Sequence, residues 1–172
     1  MKVIILAAGE GKRLRPLTDD KPKCMVEVNG KSIISHQIEC FRRNGIENIN
    51  ICLGYASKQV RFDNVIYHYN TNYARTNMVY TLFCAKSELE NDDILVSYGD
   101  IIYNDDVLKA IMKDDSKIGV VVDRNWLEYW NARMENPLDD AETLKINDKG
   151  YIVELGKKPI NYGEIQGQYI GL

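Results

Sequence analysis

The chain has 172 residues, of which 45% are apolar and 27% charged, as in an ordinary folded domain. Its 22 basic and 25 acidic side chains give a formal net charge of -3, too weak a field to attract a nucleic-acid backbone or an anionic membrane. We therefore predict one compact domain, residues 1–172, with no nucleic-acid or membrane partner. Any anion that it binds must be held by a local site.

The longest apolar run near the N-terminus, residues 3–8, is too short to span a bilayer and lacks the cleavage region of a signal peptide. We therefore expect a cytoplasmic protein. The cysteines are widely spaced among apolar neighbours, which favours burial over disulfides or zinc binding. They are Cys24, Cys40, Cys52 and Cys84. His36 and His68 are each isolated from other candidate ligands, and we interpret both as structural.

The first predicted element is a short buried strand at residues 2–6, which runs into the small side chains of residues 7–11. Residues 24–28 are predicted to form a second strand. A helix is predicted after Ser32, because apolar residues recur at helical spacing until Asn44-Gly45 ends the pattern.

Strands are next predicted at 49–53 and 65–69, then a helix at 77–89 and a strand at 94–97. The buried face of that helix is predicted to consist of Met78, Leu82, Phe83 and Ala85. A helix at 107–112 and a buried strand at 118–122 follow. This alternation predicts an α/β fold, a Rossmann-like three-layer sandwich around a mostly parallel, mixed sheet.

Beyond residue 123 the alternation stops. Residues 144–146 and 151–155 flank Asn147-Asp148-Lys149-Gly150, which predicts a β-hairpin. Residues 166–172 are predicted to form a last strand, and the chain ends inside it.

Residues 6–17, with the sequence LAAGEGKRLRPL, carry the strongest chemical signal. Gly9 and Gly11 allow backbone N–H groups to approach a phosphate, and three cations stand beside them: Lys12, Arg13 and Arg15. This pattern predicts a cradle for a triphosphate, although a Gly-x-Gly alone also occurs in basic surface loops. It is neither a Walker loop nor a dinucleotide fingerprint, because Gly-Lys-Ser/Thr and the third glycine are both missing.

A second segment, KPKCMVEV at residues 21–28, follows shortly after the first. Together the two resemble the signature of the sugar-phosphate and alcohol-phosphate nucleotidyltransferases, L-A-A-G-x-G-x-R-L-x-P-L-T followed by P-K-x-[ML]-[VL]-x-V. The resemblance continues through Asn77, Tyr98-Gly99-Asp100 and Gly156-Lys157-Lys158-Pro159, and so covers essentially the whole chain. It implies the nucleotide-diphospho-sugar transferase fold and an enzyme that transfers a nucleoside monophosphate to a small phosphorylated acceptor, releasing pyrophosphate.

The resemblance also implies a role for individual positions. Arg13, Lys23 and Asp100 would be catalytic, with Asp100 as the ligand of Mg²⁺. The nucleotide would contact Leu6, Ala7, Ala8, Gly9, Gly11, Lys12 and Asn77. Lys158 would bind the phosphate of the acceptor. The domain would then consist of a nucleotide-binding part, about residues 1–123, and an acceptor-binding part, about residues 124–172.

These roles agree with what the reaction requires. The phosphate oxygen of the acceptor is already an anion, so no nucleophile from the protein is needed, only alignment and neutralisation of charge. A lysine, an arginine and a metal can offset the repulsion between two polyanions, and carboxylate and phosphate ligands favour Mg²⁺ over zinc. The alternatives are a turn cap for Asp100 and solvated side chains for Lys23 and Lys158.

The acceptor is suggested by Trp126 and Trp130, which enclose Tyr129 and an acidic residue and could hold a quaternary ammonium group by cation-π attraction. Within the family this chain looks closer to the phosphocholine cytidylyltransferases, which favours CTP as donor and phosphocholine, an aminoalkyl phosphonate or a polyol phosphate as acceptor. The same rings could instead cover the sheet or pack against a partner subunit, which leaves a homo-oligomer open.

Two departures from the family pattern qualify this interpretation. Lys157 replaces an acidic residue of many sugar-nucleotide enzymes, which argues against a hexose 1-phosphate. The second metal-binding aspartate of the family is expected beyond residue 172, so we expect a fold truncated at its C-terminus, and a 172-residue chain that is weakly active or inactive yet able to bind nucleotide.

Three alternatives stay open. The first is a sugar-1-phosphate uridylyl- or thymidylyltransferase. The second is a non-catalytic nucleotide-binding regulatory module, and the third a glycosyltransferase, whose usual D-x-D motif is absent near Asp100.

Overall fold

The computed structural model describes residues 1–90 and 92–172. They separate into two compact units, Met1–Lys117 with Gly171–Leu172, and Ile118–Ile170. None of the helices in the described residues is long and apolar enough to cross a membrane.

The first unit contains a four-stranded sheet in which all neighbouring strands are parallel. Its order is β5-β4-β1-β6. The strands are β1 (Lys2–Ala7), β4 (Ile49–Leu53), β5 (Ile66–Tyr69) and β6 (Ile94–Tyr98), and a separate hairpin joins β2 (Glu27–Val28) to β3 (Lys31–Ser32). The helices are α1 (Ile33–Arg43), α2 (Met78–Phe83) and α3 (Asp105–Met112). The predicted α/β class and parallel sheet are confirmed.

The sheet is buried on both faces, because every residue of β4 and three successive residues of β1 are buried. One face is covered by the segment around α2, where Leu82, Ala85 and Leu89 pack with Ile4 and Cys52. This burial explains why the apolar run of β1 is continuous rather than alternating.

Helix α1 has the ends predicted for it. The Ser32 hydroxyl accepts a hydrogen bond from the Ser35 N–H at 3.3 Å, and Gly45 takes the left-handed conformation, φ 80°, that ends a helix. Both histidines have structural contacts, His36 Nε2 with Val28 O at 2.8 Å and His68 Nε2 with Asn50 Oδ1 at 3.0 Å.

Four of the predicted elements need correction, three of them here and the strand predicted at 166–172 below. The strand predicted at 24–28 begins as a 3-10 turn, Lys23–Met25, and only its end is extended. The helix predicted at 77–89 ends at Phe83, and the side chains of Met78 and Phe83 are exposed rather than buried. The buried strand predicted at 118–122 is limited to Val122–Asp123, and Ile118 is 88% exposed.

The second unit contains β7 (Val122–Asp123), α4 (Trp126–Asn131), β8 (Leu144–Ile146), β9 (Ile152–Leu155) and β10 (Gln168–Tyr169). The hairpin β8-β9 confirms the prediction for that region. The strand predicted at 166–172 is shorter, because β10 pairs only with the two residues of β7. A pairing partner of two residues cannot extend a strand further.

Candidate active site

The first unit has a topological switch point at β1. In the sheet, β4 is the neighbour of β1 on one side and β6 is its neighbour on the other. The loops that follow β1 and β6 therefore leave adjacent strand ends in different directions, which opens a crevice between them. Leu6 pairs with Tyr98, and the Gly99 N–H donates to Leu6 O at 2.9 Å. Ligands of open parallel sheets bind at such a position.

The glycine turn after β1 packs against the segment that carries Lys23. Gly11 has φ +64°, and a Cβ built on it would lie 3.1 Å from the Lys23 Cβ. The buried Thr18 hydroxyl donates to Gly11 O at 2.9 Å and holds the turn in place. The two motifs, separate in sequence, thus form one structure.

Lys23 and Asp100 form an ion pair across the same strand ends, with Lys23 Nζ 2.5 Å from Asp100 Oδ2. Each side chain is 34% exposed, so both remain reachable from solvent. Gly99 permits this approach, because a Cβ there would lie 2.8 Å from the Ala7 Cβ. The glycine therefore keeps the loop of Asp100 against the turn after β1.

Helix α1 supports the loop of Asp100 through Gln37, which sequence analysis missed. Gln37 is 2% exposed, and its Nε2 donates to Tyr98 O and to Ile101 O, both at 2.7 Å. Both carbonyls flank Asp100, so the amide fixes the backbone on either side of the carboxylate. The available signal was a polar residue within the apolar face of a predicted helix.

The three cations of the turn are not equivalent. Lys12 Nζ lies 3.3 Å from Glu10 Oε2, and Arg15 pairs with Glu10 and Asp19 at 3.7 and 3.5 Å. Arg15 is not among the residues that line the cleft. Arg13 makes no ion pair or hydrogen bond within residues 1–90 and 92–172 and is exposed. It is therefore the cation of the turn that is most available to a ligand anion.

A second part of the cleft lining is uncharged and comes from the segment before and within α2; we call it the neutral wall. Asn77 caps this helix, since its Oδ1 accepts from the Tyr80 N–H at 3.1 Å. Its Nδ2 has no hydrogen-bond partner within the described chain and remains as a donor. The wall comprises Tyr73, Thr76, Asn77, Met78 and Thr81.

All of these groups line one cleft of about 520 Å³. The predicted site residues that it contains are Leu6, Ala7, Ala8, Gly9, Gly11, Lys12, Arg13, Lys23, Asn77 and Asp100. The lining residues that sequence analysis did not predict are Leu14, Cys24, Tyr73, Thr76, Met78, Thr81, Tyr98 and Gly99. All eight are neutral, so charge did not distinguish them.

The cysteine in this cleft is not a nucleophile. Burial raises the pKa of the Cys24 thiol to about 12, so it stays protonated near neutral pH. Cys24, Cys40 and Cys52 are buried as predicted, whereas Cys84 is half-buried.

The cleft contains a carboxylate that could contribute to binding a divalent metal ion together with a substrate. Asp100 is the carboxylate among the described residues that line the cleft, and no cluster of three or more metal-ligating side chains occurs in the described chain. Mg²⁺ is usually held by one or two carboxylates together with substrate phosphates and water, not by a cage of protein ligands.

The residues predicted to bind the acceptor lie in the second unit. Trp126 is 4% exposed and packs with Ala141 and Ile165, so its ring belongs to a core. The Trp130 ring lies 5.9 Å from it in an edge-on arrangement, and the Arg133 guanidinium stands 5.4 Å over Trp130. Trp126 therefore packs in a core, which is the alternative to acceptor binding considered for these rings. The Trp130 ring is in contact with a cation of the same chain, Arg133.

Lys158 is exposed, and within the described residues it makes no ion pair or hydrogen bond. Its prediction as a ligand for the acceptor phosphate stays a prediction.

A parallel sheet with a glycine turn, two available cations and a carboxylate at its switch point defines an α/β protein built to bind a phosphorylated ligand. The chain belongs to the nucleotidyl transferase family, whose profile matches residues 2–126. This match confirms the family that the two sequence segments resemble.

Similar proteins include two cytidylyltransferases. The chain is 44% identical over 182 aligned positions to the CTP:phosphoglutamine cytidylyltransferase of Campylobacter jejuni, which covers 100% of this chain and 72% of that protein. It is 42% identical over 99 positions to the choline-phosphate cytidylyltransferase of Streptococcus pneumoniae. That alignment covers 55% of this chain and 43% of the relative.

Solved structures share the fold of this chain. A CTP:phosphocholine cytidylyltransferase from Streptococcus pneumoniae superposes with a TM-score of 0.66 at 29% identity, over 98% of this chain and 65% of that one. An inositol-1-phosphate CTP transferase from T. maritima, at 22% identity and a TM-score of 0.72, shares the fold over 99% of this chain and 67% of that one. The chain thus spans under two thirds of the phosphocholine enzyme.

Proposed function

We propose that the protein transfers CMP from CTP to the phosphate or phosphonate of a small acceptor and releases pyrophosphate. The observation that carries this proposal is the common cleft of Arg13, Lys23 and Asp100 with the glycine turn. The relatives at 44% and 42% identity, both of them cytidylyltransferases by name, support CTP as the donor.

The charges of the cleft suggest how the triphosphate is oriented. Arg13, Lys12 and Lys23 lie toward the glycine turn, whereas the wall around Asn77 carries no charge. A triphosphate gains most where cations and backbone N–H groups meet, so the base is left to the neutral wall.

In the reaction an oxygen of the acceptor phosphate forms a bond to the α-phosphorus of CTP. The bond from that phosphorus to the bridging oxygen breaks, and pyrophosphate leaves with the electron pair. Arg13 and Lys23 reduce the repulsion between the two anions and stabilise the charge that develops on the leaving group. Before CTP binds, Lys23 is held by Asp100 at 2.5 Å, which keeps its ammonium group beside the phosphate site.

Asp100 would hold Mg²⁺ in this proposal. Bound there, the ion would supply further neutralisation of the phosphate oxygens.

The acceptor that we would test first is phosphoglutamine, because the relative that acts on it by name aligns with 100% of this chain. Lys158 would bind the phosphate of the acceptor. Phosphocholine, an aminoalkyl phosphonate and a polyol phosphate remain candidates, and glucose 1-phosphate represents the sugar alternative.

The test is pyrophosphate release with CTP, UTP, ATP or GTP, each combined with phosphoglutamine, phosphocholine, aminoethylphosphonate, glycerol 3-phosphate or glucose 1-phosphate. We expect release to require CTP, and Asp100→Asn to lower it at least about 100-fold because the charge that holds the metal is lost. Asp20→Asn is the matched control, since Asp20 is exposed, lies near the motif and does not line the cleft.

Unchanged turnover in Asp100→Asn would contradict the metal assignment. Tight CTP binding without pyrophosphate release from any combination would favour either the regulatory alternative or the weakly active chain that the family pattern predicts. Preference for UTP and glucose 1-phosphate would favour a sugar nucleotidyltransferase.

A further inference from the structure

Asn70 follows β5 and is 1% exposed, and its backbone N–H and both ends of its side-chain amide are hydrogen-bonded. Its N–H donates to Leu53 O at 2.7 Å, and its Oδ1 accepts from the Asn72 N–H at 2.9 Å. Because only the amide oxygen can accept that N–H, the orientation of the side chain is determined. The Nδ2 is then directed at two hydroxyls, those of Thr76 and Thr81, both at 2.9 Å.

These two hydroxyls are held as acceptors. Thr76 Oγ1 donates its proton to Asn72 O at 2.9 Å, and Thr81 Oγ1 donates to Asn77 O at 3.2 Å. A hydroxyl has one proton and two lone pairs, and Asn70 occupies one lone pair of each. What remains on each oxygen for a ligand is one acceptor position and no donor.

Both threonines line the cleft and belong to its neutral wall. Thr76, half-buried, is the more accessible of the two. Asn77, on the same wall, offers the opposite character, because its oxygen is used by the helix cap and its Nδ2 is left as a donor. The wall therefore presents hydroxyl acceptors beside an amide donor.

Cytosine and uracil differ in the edge that such a wall would read. Cytosine has a donating amino group at position 4 and an acceptor at N3, whereas uracil has an accepting oxygen at position 4 and a donor at N3. An acceptor that cannot turn into a donor favours the amino group and leaves the uracil oxygen unpaired, and a buried unpaired group is costly.

We propose that Asn70 is a positioning residue for base selectivity: it holds the Thr76 and Thr81 hydroxyls as acceptors for the exocyclic amino group of cytosine. This inference rests on the proposed binding of CTP in the cleft. Asn70 itself does not line the cleft, so its effect on the base is exerted through the two hydroxyls.

The experiment measures the dissociation constants of CTP and UTP by titration calorimetry for the wild type, Asn70→Ala, Thr76→Val and the double variant. In each single variant we expect the preference for CTP over UTP to fall about tenfold, the worth of one ordered hydrogen bond in a desolvated site. The double variant should lose no more than the larger single loss, because the two changes remove the same interaction.

Asn50→Ala is the matched control. Asn50 is also fully buried, and its amide bonds to Asn48 Oδ1 and His68 Nε2, but it does not line the cleft. We expect this variant to have a lower melting temperature and an unchanged ratio of the two constants. Thr76→Val also covers the case in which Asn70→Ala fails to fold.

A wild type that prefers CTP while both single variants keep the same ratio would overturn this inference and leave the proposed function intact. An equal weakening of CTP and UTP in the variants would also overturn it, since that result describes a structural role only. Failure of the wild type to bind either nucleotide would overturn the proposed function and the inference together.

Discussion

Gly11 and Lys23 illustrate how single residues create the site. The left-handed backbone at Gly11 turns the chain so that its Cα side faces the stem of Lys23, with no room for a larger residue. Lys23 lies twelve residues after Gly11 in the chain, and this packing allows its ammonium group to reach Asp100. A glycine here serves both the conformation and the close approach.

A comparison of Gly11→Ala with Gly30→Ala separates the effect of the backbone conformation from the effect of the close approach to Lys23. We expect Gly11→Ala to lower the free energy of unfolding by roughly 1–2 kcal/mol through strain at positive φ, and to weaken CTP binding because the new Cβ displaces Lys23. Gly30→Ala is the control, since Gly30 has φ +76° but nothing within 4 Å of an added Cβ. Chemical denaturation and CTP titration measure the two quantities, and equal loss of CTP binding in both variants would contradict the assigned contact.

Helix α1 shows how one element connects several parts of the first unit. Its apolar face is buried, Gln37 bonds the carbonyls beside Asp100, and its C-terminal end meets α3. There the Arg43 guanidinium donates to Asp105 Oδ1 at 2.8 Å, and the Cys40 thiol lies 3.3 Å from the same oxygen. The first turn of α3 is thereby tied to the helix that supports the site.

The contact between α1 and α3 predicts a dependence of stability on pH. Hydrogen bonds from Arg43, and then from Cys40, lower the pKa of Asp105 to about 2, below its ordinary value of about 3.9. A group whose pKa is lower in the folded state stabilises above the unfolded value, and this contribution is lost as the pH falls through the folded value. Asp105→Asn should therefore melt at a lower temperature than the wild type near neutral pH, and the difference should shrink as the pH falls from about 4 to about 2.

Asp106→Asn is the control for this measurement. Asp106 shares the first turn of α3, and so its interaction with the helix dipole, but has no bond to Arg43 or Cys40. Melting curves at several pH values would compare the three proteins. A difference for Asp105→Asn that is independent of pH would argue against the ionic contact.

For the whole molecule, the cleft lies entirely within the first unit, whereas Trp126, Trp130 and Lys158 belong to the second. The residues predicted to bind the donor nucleotide therefore belong to the first unit, and those predicted to bind the acceptor belong to the second. Nucleotide binding is the property that the first unit alone can explain.

Because a ligand of the native state stabilises it, CTP should raise the melting temperature. At about 100 times the dissociation constant the gain is about 2.7 kcal/mol, which for a chain of this size corresponds to roughly 5–10 °C. Cytidine at the same concentration should give a much smaller shift, because it has no phosphates for Arg13 and Lys23. Equal shifts measured by differential scanning fluorimetry would contradict the phosphate site.

Predictions from local sequence patterns succeeded for elements whose bounds depend only on residues within the element and at its ends. Strand β4 has the predicted bounds, and α1 has the predicted start and end, because apolar spacing and capping residues act within a few residues. The strand predicted at 118–122 was wrong because its length depends on the partner strand β10, which is distant in sequence. Helix α2 ended early for reasons that its own residues did not indicate.

The sequence by itself indicated the chemical groups of the site: a glycine turn with cations, a lysine after proline, an asparagine at the start of a predicted helix and an aspartate at the end of a strand. Residue types and spacing suffice for that, because the bonding capacity of a side chain does not depend on the fold. Only the tertiary structure decided that Gln37 holds the backbone around Asp100, that Asn70 orients two threonines, and that Arg13 rather than Arg15 is free for a ligand. Those properties depend on which distant residues compete for each hydrogen bond, and that competition is settled only when the chain is packed.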